Sequence, residues 1–181
     1  WHRISTSRSV AFQGFDDQLS ADYDAGTAQA FGELAYKVDA GSLAFEPFAN
    51  LAYVNLHTDG FTEKGGDAAL TSASSNTDAT FTTLGVRASS DVTVGGVTAT
   101  ARGMLGWRHA FGDVTPLSSF AFAGSDSFTI AGAPIARDAM LVEAGFDVPL
   151  SSNATLGVSY AGQFSADAHD NGFKANLGVK F

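Results

Sequence analysis

The titratable residues offer few arrangements that could do chemistry. Glu33 and Glu46 fall on neighbouring predicted strands and could be read as a paired-carboxylate acid/base couple, and His109 near Asp113 as a general base with its orienting acid. Neither pattern is specific. No serine in a strained turn accompanies His109, which falls at a predicted strand end beside a long connection, so hydrolase chemistry is disfavoured. His2, His57, His109 and His169 lie far apart, with no pair at metal-ligand spacing, so no metal is expected. Cysteine is absent, which removes disulfides, thiolate nucleophiles and thiolate zinc sites. Gly65-Gly66 and Gly95-Gly96 lack the strand-then-helix context of a phosphate cradle and read as turns, so no cofactor is expected. What most of the charges share is a side. Glu33, Glu46, Arg87, Arg102, Arg108, Glu143 and Lys174 are assigned to one face, and a mixed-sign set turned into a narrow interior would pair, hydrate it and fix registry, or line a conduit.

That assignment rests on the elements that carry the charges. At the C-terminus, Phe173, Ala175, Leu177, Val179 and Phe181 alternate with Gly172, Lys174, Asn176, Gly178 and Lys180, the period of a strand. Upstream, Leu156, Val158, Tyr160 and Phe164 alternate with Thr155, Gly157, Ser159 and Gln163, and Met140, Val142, Ala144, Phe146 and Val148 with Glu143, Gly145 and Asp147. The scheme continues with Leu105 and Trp107 against Arg102 and Arg108, and Leu84 and Val86 against Gly85 and Arg87. It extends to Phe45, Leu51 and Tyr53 against Glu46 and Asn50, and Leu34 and Tyr36 against Glu33 and Lys37. Pro47 interrupts the pattern, and a bulge or strand edge is expected there because proline cannot donate to the ladder. Trp1 to Phe12 is β-like but alternates poorly; counting it gives about eight strands.

Composition narrows the class. Hydrophobic residues are 45% and charged residues 16% of 181, yet no run approaches the roughly 18 apolar residues of a spanning helix. A closed antiparallel barrel hides its apolar content by alternation, and a soluble β-barrel or sandwich holding a small apolar ligand is the competing all-β reading. Twenty glycines against four prolines favour strands over a disordered chain. The net charge of −9, with scattered basic residues, argues against a nucleic-acid partner. No signal peptide is visible, and an internal fragment is the favoured explanation.

Connections alternate in length, as in a transmembrane β-barrel with short periplasmic turns and longer external loops. Segments 38–42, 89–96 and 149–153 are short; 60–78 and 112–138 are long, with 13–20 and 165–172 intermediate. The 60–78 stretch reads as a mobile surface loop. Tyr36 and Phe146 would lie toward the periplasmic rim, and Trp107 and Phe164 toward the outer rim.

Several stretches in order, FEPFANLAYVNL with GFTEKGG, LGWRHAFGD, AGAPIARDAMLVEAGFDVPLS, ATLGVSYAGQF and the terminal phenylalanine, resemble the autotransporter β-domain family over nearly the whole chain. The resemblance implies a transmembrane barrel of about twelve strands in the bacterial outer membrane, threaded by a helix leading to an exported passenger. Residues 1–181 would then be a partial translocator domain, lacking about four strands, the helix and the cargo. Implied partners are outer-membrane lipid, the barrel assembly machinery and the upstream passenger in cis. Phe173, Leu177, Val179 and above all Phe181 would form the assembly signal, offering a free strand edge with alternate side chains for pockets. Rival readings are a self-contained eight-stranded barrel serving as adhesin or anchor, and a hydrolytic outer-membrane barrel.

Overall fold

The computed structural model describes residues 1–180 apart from 167. The regular elements among them are antiparallel strands: β1 His2–Phe12, β2 Phe15–Ala35, β3 Val38–Ala40, β4 Leu43–Thr58, β5 Phe61–Thr62, β6 Leu70–Ser72, β7 Ser75–Val94, β8 Val97–Gly112, β9 Leu117–Phe122, β10 Phe128–Ala131, β11 Asp138–Ser151, β12 Ala154–Phe164 and β13 His169–Val179. Eight of them form one path in chain order, β1-β2-β4-β7-β8-β11-β12-β13, with β3 added beside β4; a four-stranded sheet runs β10-β9-β6-β5. The expected all-β, antiparallel arrangement of about eight strands is therefore present in the main path. No helix among the described residues is long and apolar enough to cross a membrane.

The turns explain the tight reversals. Between β7 and β8 both Gly95 and Gly96 have positive φ, 61° and 83°, which a two-residue hairpin turn demands and side chains oppose. The disturbance expected at Pro47 appears on its partner. β4 runs through the proline, whose carbonyl accepts Tyr36 N–H at 3.1 Å, but the neighbouring chain breaks between β2 and β3 at Tyr36-Lys37. Pro47 has no N–H to return to that neighbour, so the ladder loses a bond there.

Contacts divide the chain into two units: one of 1–30, 53–80 and 111–135, the other of 31–52, 81–110 and 136 onward. In the second unit the predicted alternation is plain. Leu105, Phe146 and Val158 are 54%, 55% and 48% exposed, while Phe48 and Thr83 on the opposite parity are 8% and 9% exposed. Registers keep the faces together: Val142 stands opposite Leu105 and Phe146 opposite Val158. This unit presents an apolar side to its surroundings and keeps polar side chains on the other.

The first unit departs from expectation. Segment 13–20, expected as a loop, is mostly the start of β2, with the reversal at Gln13-Gly14 and Gly14 at φ 84°. The 60–78 segment is not a featureless loop either. Asp59 N–H donates to Asp24 C=O at 2.9 Å, and Ser20 and Lys64 exchange backbone bonds of 2.9 and 2.8 Å, so this stretch runs along β2. Phe61 then pairs with Ser72, Ser72 with Phe120 and Phe120 with Phe128. The 60–78 and 112–138 connections carry the four strands of the second sheet. Their strands are two to six residues long, below the length at which alternation stands out from turn-rich composition.

Candidate functional site

The charged face of the second unit brings three of the expected residues together. Arg87 Nη1 and Nη2 donate to the two carboxylate oxygens of Glu33 at 2.8 and 2.9 Å, and Nη1 also reaches Glu46 Oε1 at 2.8 Å. The side chains come from β2, β4 and β7, adjacent strands of the path, so period-2 geometry alone directs them to one side. Two carboxylates share one guanidinium, which leaves the cluster acidic and leaves neither glutamate without an arginine donor. The paired-carboxylate acid/base reading is not what this geometry builds: a structural ion cluster is. All three side chains are between 34% and 39% exposed, so water screens the pairs.

Beneath the guanidinium lies Phe48, its ring centroid 3.9 Å from Arg87 Cζ. The ring covers Gly85, where an added Cβ would sit 2.7 Å from two ring carbons and 2.7 Å from the carbonyl oxygen of Leu105. Glu46, Phe48 and Gly85 thus interlock across β4 and β7. Phe48 escaped the sequence reading because an aromatic residue on the polar parity breaks the binary pattern, although its spacing from Glu46 would have placed it.

The remaining expected residues scatter along the same face. Arg102 pairs with Asp147 at 3.1 Å rather than with Glu143. Asp147 shares the parity of Glu143, and that spacing was the available signal. Arg108 does not pair as expected: it approaches the ring of Phe81, 5.3 Å to the centroid, and no ion pair to it is found among the described residues. Glu143 lines a cavity of about 480 Å³ together with Lys37, Glu46, Arg87, Arg102 and Ser159. Lys174 stands opposite Ser159 on β13. Phe173, Leu177 and Val179 are exposed on β13, and Phe181 lies outside the described residues.

His109 meets Asp138, a partner that the sequence reading did not name. Its Nδ1 lies 2.8 Å from Asp138 Oδ1, the residue opposite it across β8 and β11, and Trp107 Nε1 donates to the same oxygen at 3.0 Å. The aspartate so used is on the apolar parity, where the outward face of β11 turns polar. A similar switch occurs on β4 in the first unit. Tyr53 and Asn55 both donate to Asp78, and His57 lies between Asn76 at 2.7 Å and Asp59 at 3.0 Å. Acceptors at both ring nitrogens favour the imidazolium, so the His57 pKa is raised, Asn76 contributing most and Asp59 next.

The first unit holds one further pair that local pattern could not reveal. Arg8 Nε and Nη2 grip Glu63 at 2.8 and 2.6 Å, across 55 residues of sequence, and Leu70 N–H donates to the same carboxylate at 2.8 Å. The Arg8 hydrogen bond is the main cause of a Glu63 pKa below the ordinary carboxylate range.

Comparison with known proteins accords with this architecture. Residues 1–161 match the family described as Autotransporter beta-domain. Two proteins of Serratia marcescens, each named extracellular serine protease, are 38% identical to the chain over 182 aligned residues, covering 100% of it. The chain spans 17% of the length of each. The chain therefore belongs to the autotransporter β-domain family, β-barrels of the bacterial outer membrane.

Proposed function

We propose that this chain is the membrane-embedded translocator that anchors an upstream passenger and supports its export to the cell surface. The observation that carries the reading is the division of faces in the second unit. Exposed Leu51, Leu84, Leu105, Val158 and Leu177 stand on one parity, and the Arg87, Glu33 and Glu46 cluster on the other. Outer-membrane lipid is the medium that suits the first face, and a hydrated conduit the second. Glu143, Arg102, Arg108 and Lys174 complete the conduit lining. The peptidase activity in the relatives' names is assigned to chain outside this domain, since the cluster offers no activated nucleophile.

Assembly is assigned to Phe173, Leu177 and Val179 of β13 together with the terminal residue Phe181, read by the outer-membrane assembly machinery through β-augmentation. The central experiment removes residues 1–181 from the complete protein and follows the passenger by surface protease accessibility. Retention in the periplasm is expected, and normal surface display without the domain would end the reading. Phe181→Ser tests the signal separately: it should leave unassembled, protease-sensitive chain. Insertion at the normal rate with only a lower melting temperature would assign Phe181 to packing alone.

A further inference from the structure

The two faces of the first unit differ in kind. One carries Ser5 opposite Asp22, Ser7 opposite Ser20 and Ser9 opposite Gln18, then Thr62 bonded to Thr71 at 3.2 Å and Ser119 to Thr129 at 3.1 Å. Every one of these groups suits water. The other face carries Tyr23 stacked on Phe61 with centroids 4.4 Å apart, and Phe128 between Phe120 and Phe122 at 6.1 and 5.8 Å. Register places Phe61, Phe120 and Phe128 on one side of the sheet, joined by Ile130 two positions along. Phe122, Phe128 and Ile130 remain 43%, 37% and 52% exposed.

We infer that this aromatic face is a contact surface for unfolded polypeptide in transit, the occupant being an extended segment of the passenger exported by the same protein. The inference rests on the translocator reading. Water alone does not favour a cluster of half-exposed rings on one side of a sheet whose other side is hydroxyl-rich. A small apolar ligand would need an enclosed pocket, whereas the cavity of about 480 Å³ is lined by other residues. An extended chain needs only a track, and flat rings accept side chains of any sequence without demanding a hydrogen-bond pattern. A source for such a chain exists in the relatives, since the present domain spans 17% of their length.

The test places a photo-crosslinking benzoylphenylalanine at single positions in the complete protein and irradiates during export. Crosslinks to the passenger from positions 120 and 128, and none from positions 119 and 129 on the hydroxyl face, are expected. Crosslinks from positions 143 and 174 without any from 120 or 128 would overturn this inference while leaving the conduit intact. Equal crosslinking from both faces would also overturn it, and silence at all six positions would remove the conduit reading as well. The paired change Phe120→Ser with Phe128→Ser gives a second readout. Surface display should slow by about threefold to tenfold, while heat-modifiable gel migration stays that of a folded barrel. An unchanged export rate in a folded variant refutes the role.

Discussion

Replacing Gly85 by alanine should destabilise the barrel through a single methyl group. The new Cβ would lie 2.7 Å from the Leu105 carbonyl oxygen and 2.7 Å from Cε1 and Cζ of Phe48. The ring can swing; the carbonyl belongs to the neighbouring strand and cannot. Crowding of this kind costs about 1–3 kcal/mol. Swinging Phe48 also draws the ring from under the Arg87 guanidinium, now 3.9 Å from its centroid, and a partly exposed cation–π contact is worth about 0.5–1 kcal/mol. The sum is about 1.5–4 kcal/mol, to be read as a lower unfolding midpoint in urea of the detergent-folded protein. Gly103→Ala is the matched control, because its nearest new neighbour would be the Glu143 carbonyl at 3.6 Å, an ordinary contact. A double-mutant cycle with Phe48→Ala separates the contributions: the part due to the ring should vanish and the part due to Leu105 should persist. If Gly85→Ala and Gly103→Ala have equal effects, the interlock of Gly85, Phe48 and Arg87 is not a determinant of stability.

Val158→Arg, on the exposed apolar parity of β12, should cost about 2–4 kcal/mol in a bilayer, whereas Asp22→Arg on the hydroxyl face should be nearly neutral; equal effects would show that the two faces meet the same medium. Arg87→Gln leaves Glu33 and Glu46 without their shared cation, and about 1–2 kcal/mol should be lost after allowing for solvent screening; double substitution of both glutamates by glutamine should recover most of it, and no recovery would dissociate the cluster from stability. Acid should weaken the Arg8–Glu63 clamp: the folded pKa of Glu63 is depressed, so its stabilisation is complete above the ordinary carboxylate range and is lost as pH falls through the depressed value. Thermal melting on acidification should show this, and Glu63→Gln should flatten that part of the profile. His57 acts in the opposite sense, since its pKa is raised: its contribution is present below the ordinary imidazole range and fades as pH rises through the raised value, which His57→Gln should abolish.

How far the fold was legible in the sequence depended on strand length and environment. Where a strand alternates over ten or more residues, as β11 and β12 do, each residue type reports its side, and Phe146 and Val158 are exposed where alternation placed them. The hairpins of the first unit defeated that reasoning. β5 and β6 have two and three residues, too few to establish a period, and their flanks are rich in Ser, Asp and Gly. In the charged site, parity assigned Glu33, Glu46 and Arg87 to one side, but which charges meet is decided by lateral register. That register depends on turn geometry and strand breaks such as the one opposite Pro47, so Asp147 rather than Glu143 took Arg102. Partners separated by 55 residues, as Arg8 and Glu63 are, leave no local trace at all.

The order of the main path has a consequence for how the molecule is made. Because β1-β2-β4-β7-β8-β11-β12-β13 follows the chain, each strand finds its partner in the segment just synthesised or just ahead. Contact order is therefore low for an all-β protein, and loop-closure entropy is met in small instalments instead of one long-range encounter. A chain of this kind can be built hairpin by hairpin, each completed pair offering an edge as template for the next. Such processive zippering limits how long any apolar edge is left uncovered in the aqueous compartment it must cross.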